Sequence, residues 1–204
     1  MTVGILALQG GFAAHARMLA RVGVATRFVR KPGDLAGLDA LVLPGGESTA
    51  MLLGLARDGL ESPIRAFVHS GRPVLGTCAG AILLARGVTG PVQRSFGVLD
   101  VDVERNAYGT QLDSFTAVVD GGGPFADLRA VFIRAPRIVR VGPAIEVLAC
   151  VDGDPVLVRA GAVWAATFHP ELGDDARVHR AWMREVERRA AAAPASFDPA
   201  ACGC

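Results

Sequence analysis

The sequence predicts an α/β fold: a single three-layer domain with a mostly parallel central sheet, antiparallel additions in its second half, and helices on both faces. Three observations carry that expectation. Continuous apolar runs, beginning with Val3–Leu8, read as strands buried on both faces. Up to Ala85 such runs alternate with segments of helical spacing, the pattern of a parallel sheet whose crossovers are helices. After Gly87 the texture changes to short strands between glycine or proline turns, several of them alternating apolar and polar.

In order, Val3–Leu8 is the first strand, and Gly10 and Gly11 separate it from a helix over Phe12–Val22. Phe12, Ala16, Leu19 and Val22 fall on one face of that helix. Val24–Val29 and Asp39–Leu43 are the next strands, the latter ended by Pro44-Gly45-Gly46. Ser48–Ala56 and Pro63–Ser70 read as helices. The second of these carries a proline in its first turn and Gly71 just past its end, the favoured asymmetry. Pro73–Gly76 is a short strand and Ala79–Ala85 a compact helix of small residues. The second half offers strands at Gly97–Glu104, Ser114–Asp120, Ala130–Ile133, Val139–Val141, Glu146–Val151, Pro155–Arg159 and Val163–Phe168. Arg177–Ala192 closes the fold as an amphipathic helix, with Trp182 and Val186 one turn apart. Residues 1–193 are expected to form the domain, and 194–204 a flexible tail.

Composition narrows the function classes. Hydrophobic residues make up 51% and charged residues 20%, which excludes a disordered chain. A net charge of +1 gives no footprint for binding nucleic acid. Mean hydropathy is +0.36, yet no window holds the ~18 uninterrupted apolar residues of a spanning helix. The start, Met1–Leu8, lacks the basic region of a signal peptide. Four cysteines, Cys78, Cys150, Cys202 and Cys204, sit at no spacing that suggests a disulfide framework. The expected compartment is therefore reducing and cytoplasmic.

One of those cysteines is placed for chemistry. Gly76-Thr77-Cys78-Ala79-Gly80 lies where a buried strand turns into a helix, a sharp turn that holds its central residue in strained backbone geometry. The thiol would project at the carboxyl end of the sheet, where open α/β folds bind ligands. It would also sit at a helix N-terminus, whose partial positive charge favours a thiolate. The same pattern also fits a small buried cysteine between packing glycines. Cys150, inside the apolar run Val147–Val151, has that structural reading, and Cys202 and Cys204 lack the further ligands of a metal site.

A thiol nucleophile needs a base, and the base needs an orienting group. Of four histidines, His15, His69 and His179 lie in predicted helices and read as solvated or capping residues. His169 instead follows the last strand, in His169-Pro170-Glu171. Residues i and i+2 of an extended segment point to one side, so Glu171 can hold one imidazole nitrogen while the other faces the thiol. Taken alone, the segment reads rather as a polar strand-end turn; beside the Cys78 turn, the base reading is preferred.

Acyl transfer also needs backbone donors for the developing oxyanion. The N–H of Ala79 is one candidate. Pro44-Gly45-Gly46-Glu47-Ser48 is the natural second source, because bare glycines let the backbone approach a ligand. That segment also reads as a strand-to-helix turn capped by Ser48.

Together these segments resemble class I glutamine amidotransferases and, within them, the glutaminase subunits of pyridoxal 5′-phosphate synthases. The resemblance rests on Gly4–Gly10, Pro44–Thr49, Gly76–Gly80, Glu104–Gly109, Phe132–Pro136 and Phe168–Leu172. Arg105-Asn106-Ala107-Tyr108-Gly109 and Phe132-Ile133-Arg134-Ala135-Pro136 discriminate this group from its cousins. The resemblance implies that Cys78 attacks the side-chain amide of L-glutamine, with His169 as base and Glu171 orienting it. Gly46 and Ala79 would donate to the oxyanion. Gly46, Glu47, Ser48, Arg105, Ile133 and Arg134 would bind the substrate, an arginine suiting its α-carboxylate; read without the family, Arg105 and Arg134 are exposed surface charges.

Gln9 and Gly10 would meet the synthase subunit, which activates the glutaminase and takes up its ammonia. No metal or organic cofactor is implied. The chain departs from the family in having Thr110 where arginine is common, and in the small residues Ala165-Ala166-Thr167 before His169. Two other readings stay open: a glutaminase serving another synthase, such as the one that makes imidazole glycerol phosphate, and a non-catalytic binding module on the same fold.

Overall fold

The structure is a computed structural model that describes residues 1–105 and 114–192. The segment Asn106–Gly109, Thr110 and the tail with Cys202 and Cys204 lie outside the described residues. The first half runs Thr2–Leu6 (β1), Phe12–Arg21 (α1), Ala25–Val29 (β2), Ala40–Leu43 (β3), Ser48–Arg57 (α2) and Glu61–His69 (α3). Val74–Thr77 (β4), Ala79–Leu84 (α4), Ala85–Thr89 (β5) and Leu99–Glu104 (β6) follow. After the undescribed segment come Ser114–Val118 (β7), Asp120–Gly121 (β8), Arg129–Ile133 (β9) and Arg137–Val141 (β10). Glu146–Val151 (β11), Asp154–Ala160 (β12), Val163–Ala166 (β13) and Arg177–Ala192 (α5) complete the described chain.

The main sheet has the order β2-β1-β3-β4-β13-β12-β11-β8. Its pairs from β2 to β13 are parallel, and β12, β11 and β8 extend it antiparallel. The predicted α/β class with a mostly parallel sheet and antiparallel additions is what the chain adopts. Alternation along the strands builds a core on each face. On one side Leu6, Leu41, Leu43, Val74, Val163 and Ala165 pack with residues of α2, α3 and α4. On the other Val3, Ile5, Val42, Leu75, Trp164 and Ala166 meet Leu19 of α1 and Trp182 and Val186 of α5. At ~25 cal/mol per Å² of apolar surface removed from water, these two faces carry most of the folding drive.

Three details differ from the sequence expectation. Ala85–Thr89, expected only as the end of the helix Ala79–Ala85 and otherwise unassigned, is a strand that leaves α4 directly and starts a second sheet of order β10-β6-β5. Only Ala85 and Val88 of it are buried, too few to announce a strand by period. The run Ser114–Asp120 divides, β7 pairing with β9 and β8 joining the edge of the main sheet beside β11. Ser48 does not cap α2. Glu47 is the N-cap, its carboxylate accepting from the Thr49 and Ala50 amides at 3.0 and 2.7 Å.

The register of the central strands positions the site. Leu43 pairs with Gly76, and Thr77 with Ala166, so β3, β4 and β13 end at one carboxyl edge. The loops that follow them are Pro44–Glu47, the turn at Cys78, and His169–Glu171. All three therefore meet there, as ligand-binding loops of open parallel sheets do.

Candidate active site

Cys78 sits between β4 and α4 with φ 46° and ψ −103°, a conformation costly for a residue with a side chain. Its amide donates to the Ala166 carbonyl at 2.8 Å, which ties the turn to β13. The flanking glycines are required by packing: a Cβ at Gly80 would collide with the Leu43 carbonyl, and one at Gly76 would stand 2.7 Å from the Gly80 carbonyl oxygen. The sharp turn read from Gly76–Gly80 is thus present, and the helix after it lies tightly on the sheet.

His169 lies across the turn from Cys78. Both abut Gly45: a Cβ there would stand 2.8 Å from His169 Nδ1 and 3.3 Å from the Cys78 Cβ. The His169 amide donates to the Val131 carbonyl at 2.8 Å, so β9 braces the loop that carries it. Glu171 Oε1 stands 2.7 Å from His169 Nδ1, and the carboxylate is buried. Burial alone would disfavour an imidazolium at His169. Hydrogen bonds to Cys78 and Glu171 and the charges of both outweigh it, raising the His169 pKa to about 10. Glu171 is held below the ordinary glutamate range: burial opposes this, but the electrostatic interaction with the His15 imidazole and the bond to His169 prevail.

These groups open onto a pocket of about 190 Å³. Cys78 and His169 form its inner wall, and Gly46, Glu47, Ser48, Arg105, Ile133 and Arg134 surround them. The structure thus gathers residues from five separate segments, as the motif reading expected. Ala79 is buried in the first turn of α4, and Glu171 stands behind His169 rather than in the pocket wall. Gln9 flanks the rim: its Nε2 donates to the Glu47 carbonyl at 2.7 Å, and its Oε1 accepts from the Glu47 amide at 3.4 Å. Beside Gln9 and Gly10, the Gly11 amide donates to the Gly45 carbonyl at 3.0 Å.

The rim charges behave differently from each other. Arg105 is not a free surface charge: it donates to Glu47 Oε1 at 3.0 Å and Thr49 Oγ1 at 3.1 Å. Glu47 is shifted below its usual range despite partial burial, through the Thr49 and Ala50 amides, the Thr49 hydroxyl and Arg105. Arg134, in the left-handed region at φ 44°, keeps its guanidinium free of ion pairs among the described residues. Ser48 Oγ donates to Gln93 Oε1 at 2.9 Å.

Sequence reasoning missed two lining residues and two buried ones. Ile82 and Pro136 line the pocket; Ile82 lies one helical turn beyond Cys78, a spacing that marks it. His15 and His179, expected to be solvated or capping, are fully buried, His15 against Thr77 and Glu171 and His179 against His15. Nothing in their local patterns separates them from surface histidines, because their partners come from distant elements. His69, near the end of α3, places its Nε2 3.1 Å from the Phe96 carbonyl. Among the described residues no group of His, Cys, Asp and Glu could hold a metal ion.

Comparison with known proteins agrees with this architecture. The chain is 51% identical over 195 residues to the pyridoxal 5′-phosphate synthase subunit PdxT of Deinococcus radiodurans, covering 93% of this chain and all of that one. PdxT of Thermotoga maritima is 46% identical, over 92% of this chain and the whole of its own. A crystal structure of a glutamine amidotransferase superposes with a TM-score of 0.84 at 45% identity, covering 91% of this chain and 98% of that one. The structure of PurLQS from Thermotoga maritima shares the fold alone, at a TM-score of 0.63 and 16% identity over 93% of this chain and 98% of that one. Residues 5–188 match the SNO glutamine amidotransferase family, and with that coverage the chain belongs to it.

Proposed function

We propose that this chain is the glutamine-hydrolysing subunit of a pyridoxal 5′-phosphate synthase, with Cys78 as nucleophile. The carrying observation is the line Cys78–His169–Glu171 opening on a pocket with Arg105 and Arg134 at its rim. The Cys78 sulfur attacks the carboxamide carbon of L-glutamine, and the Gly46 and Ala79 amides receive the oxyanion. His169 gives its proton to the departing nitrogen, so ammonia leaves and a γ-glutamyl thioester remains. It then takes a proton from water, whose oxygen displaces the thiolate as glutamate forms. Glu171 keeps the imidazole in register throughout.

Glu47, Ser48 and Ile133 shape the pocket, while Arg134 and Arg105 bind the substrate carboxylate. Arg105 must then share itself between that anion and Glu47. The synthase subunit docks on the face around Gln9 and Gly10, activates hydrolysis and receives the ammonia. Residues 1–193 act as one domain, a reading supported by the two cores built on a single main sheet. The free thiols of Cys78 and Cys150 suit a cytoplasmic, reducing compartment.

The test is alkylation by a glutamine analogue in the presence of the synthase subunit, read by peptide mass spectrometry. Modification should fall on Cys78, depend on the partner, and vanish with excess glutamine. An unmodified Cys78 in the complex would refute the reading. Binding to a histidine-pathway synthase alone would assign the ammonia elsewhere.

A further inference from the structure

Behind the pocket lies a buried polar cluster that the steps at Cys78 do not touch. His15 on α1, His179 on α5 and Thr77 on β4 are fully buried. His15 Nδ1 stands 3.0 Å from His179 Nε2. On its other edge, His15 Nε2 stands 3.0 Å from Thr77 Oγ1 and 3.3 Å from Glu171 Oε2. Glu171 thus lies between two imidazoles, with Oε1 toward His169 and Oε2 toward His15. Among the described residues no aligned hydrogen bond reaches Oε2, so the His15 edge is what it faces.

We propose that His15 is a positioning residue for glutamine hydrolysis: neutral and protonated on Nε2, it fixes the Glu171 carboxylate and the Thr77 hydroxyl while His179 sets its tautomer. The proposal rests on the reading of Cys78, His169 and Glu171 as the hydrolytic triad.

The tautomers follow from counting protons. A bare His15 Nε2 would turn its lone pair toward a carboxylate oxygen 3.3 Å away. It would also require a proton on His15 Nδ1, and so a bare Nε2 on His179 to accept it. His179 would then carry its proton on Nδ1, which is buried with no partner. The opposite assignment avoids both penalties. His179 Nε2–H donates to His15 Nδ1, and His15 Nε2–H points to Thr77 Oγ1 beside the carboxylate. The atom left alone is then an acceptor, the more tolerable orphan.

Burial pushes His15 below the ordinary imidazole range, with the Glu171 charge opposing and the His169 charge adding to the shift. His179 lies well below that range through burial and then through His15. Neutrality matters here. A second imidazolium at His15 would draw the Glu171 charge away from His169, whereas an N–H dipole orients the carboxylate and leaves its charge for the base. Because Thr77 directly precedes Cys78, the same ring braces both the turn that carries the nucleophile and the group that orients the base. The titratable groups facing Glu171 are His169 from its own loop and His15 from α1. Those facing His15 are Glu171 and, from α5, His179, with the Thr77 hydroxyl from β4 beside them.

Steady-state glutamine hydrolysis by the complex with the synthase subunit, across a range of pH, tests the idea with two polar variants. His15→Asn keeps an amide near His179 but is too short to reach Glu171; His15→Gln places an N–H near the native Nε2. The expected result is a kcat about 10–100-fold lower for Asn, with KM within about twofold. Its acid limb in kcat/KM should move to higher pH, because Glu171 loses the dipole that helps keep it ionised. Gln should recover most of the rate and return the limb to its wild-type position. Equal impairment of the two variants, an unmoved limb, or wild-type kcat in Asn would overturn the proposal. A wild-type complex that fails to hydrolyse glutamine would instead overturn the triad reading beneath it, and the proposal with it.

Discussion

The inner wall of the pocket and its rim are built on opposite physical terms. On the inner wall Cys78 and His169, with Glu171 behind them, are nearly excluded from water and locked between β4, β13 and Gly45. There, against burial, hydrogen bonds to Cys78 and Glu171 and the charges of both raise the His169 pKa to about 10, and a single added carbon has nowhere to go. On the rim, Glu47, Arg105 and Arg134 project from loops, and the Glu47 side chain is 52% exposed. Its ion pair with Arg105 is worth at most ~1 kcal/mol to stability. The wall therefore owes its chemistry to rigidity and low dielectric. The rim serves recognition, with charges that exchange partners at low cost.

Gly45→Ala attacks the wall through geometry. The new Cβ would press on the His169 ring, so kcat should fall about 100-fold while the protein stays folded. Kinetics of the complex beside thermal unfolding measure this, and unchanged kcat would show the wall to be softer than argued. The next effect is in pH. A His169 pKa raised to about 10 keeps the proton needed by the leaving ammonia until the medium is more alkaline than that. The alkaline limb of kcat/KM should therefore lie near pH 10, with activity falling about tenfold per unit above it. A limb near 6.5 would mean that His169 behaves as a solvated histidine. Smallest is the rim: Arg134→Leu should raise KM about tenfold, leaving kcat and the melting temperature almost unchanged. A fall in kcat alone would move Arg134 from recognition into the chemistry.

Most of the inner wall is legible in the chain itself. Gly76–Gly80 announces its turn because a strand run, two glycines and a small-residue helix are all local signals. His169-Pro170-Glu171 is legible for the same reason, since two side chains at i and i+2 share a side of an extended segment. The rim is less so. Arg105 read alone is a surface charge, and its bonds to Glu47 and Thr49 cross more than 50 residues. Glu47 displaces Ser48 as the cap of α2, because its longer side chain reaches forward to two first-turn amides, those of Thr49 and Ala50. Short strands are harder still, as β5 and the divided run of β7 and β8 show: pairing partners, not periodicity, decide where such segments end.

The sequence by itself determined the parallel frame, the turn that strains Cys78, and the residue types able to run thiol chemistry. These depend on neighbours within a few positions, where backbone sterics and period-two burial act directly. Only the tertiary structure decided that β13 inserts beside β4, bringing His169 to Cys78. It also decided that His15 and His179, 164 residues apart, close behind Glu171. A histidine carries no local mark of being buried. Its protonation and its role are set by the dielectric and partners that folding assembles around it.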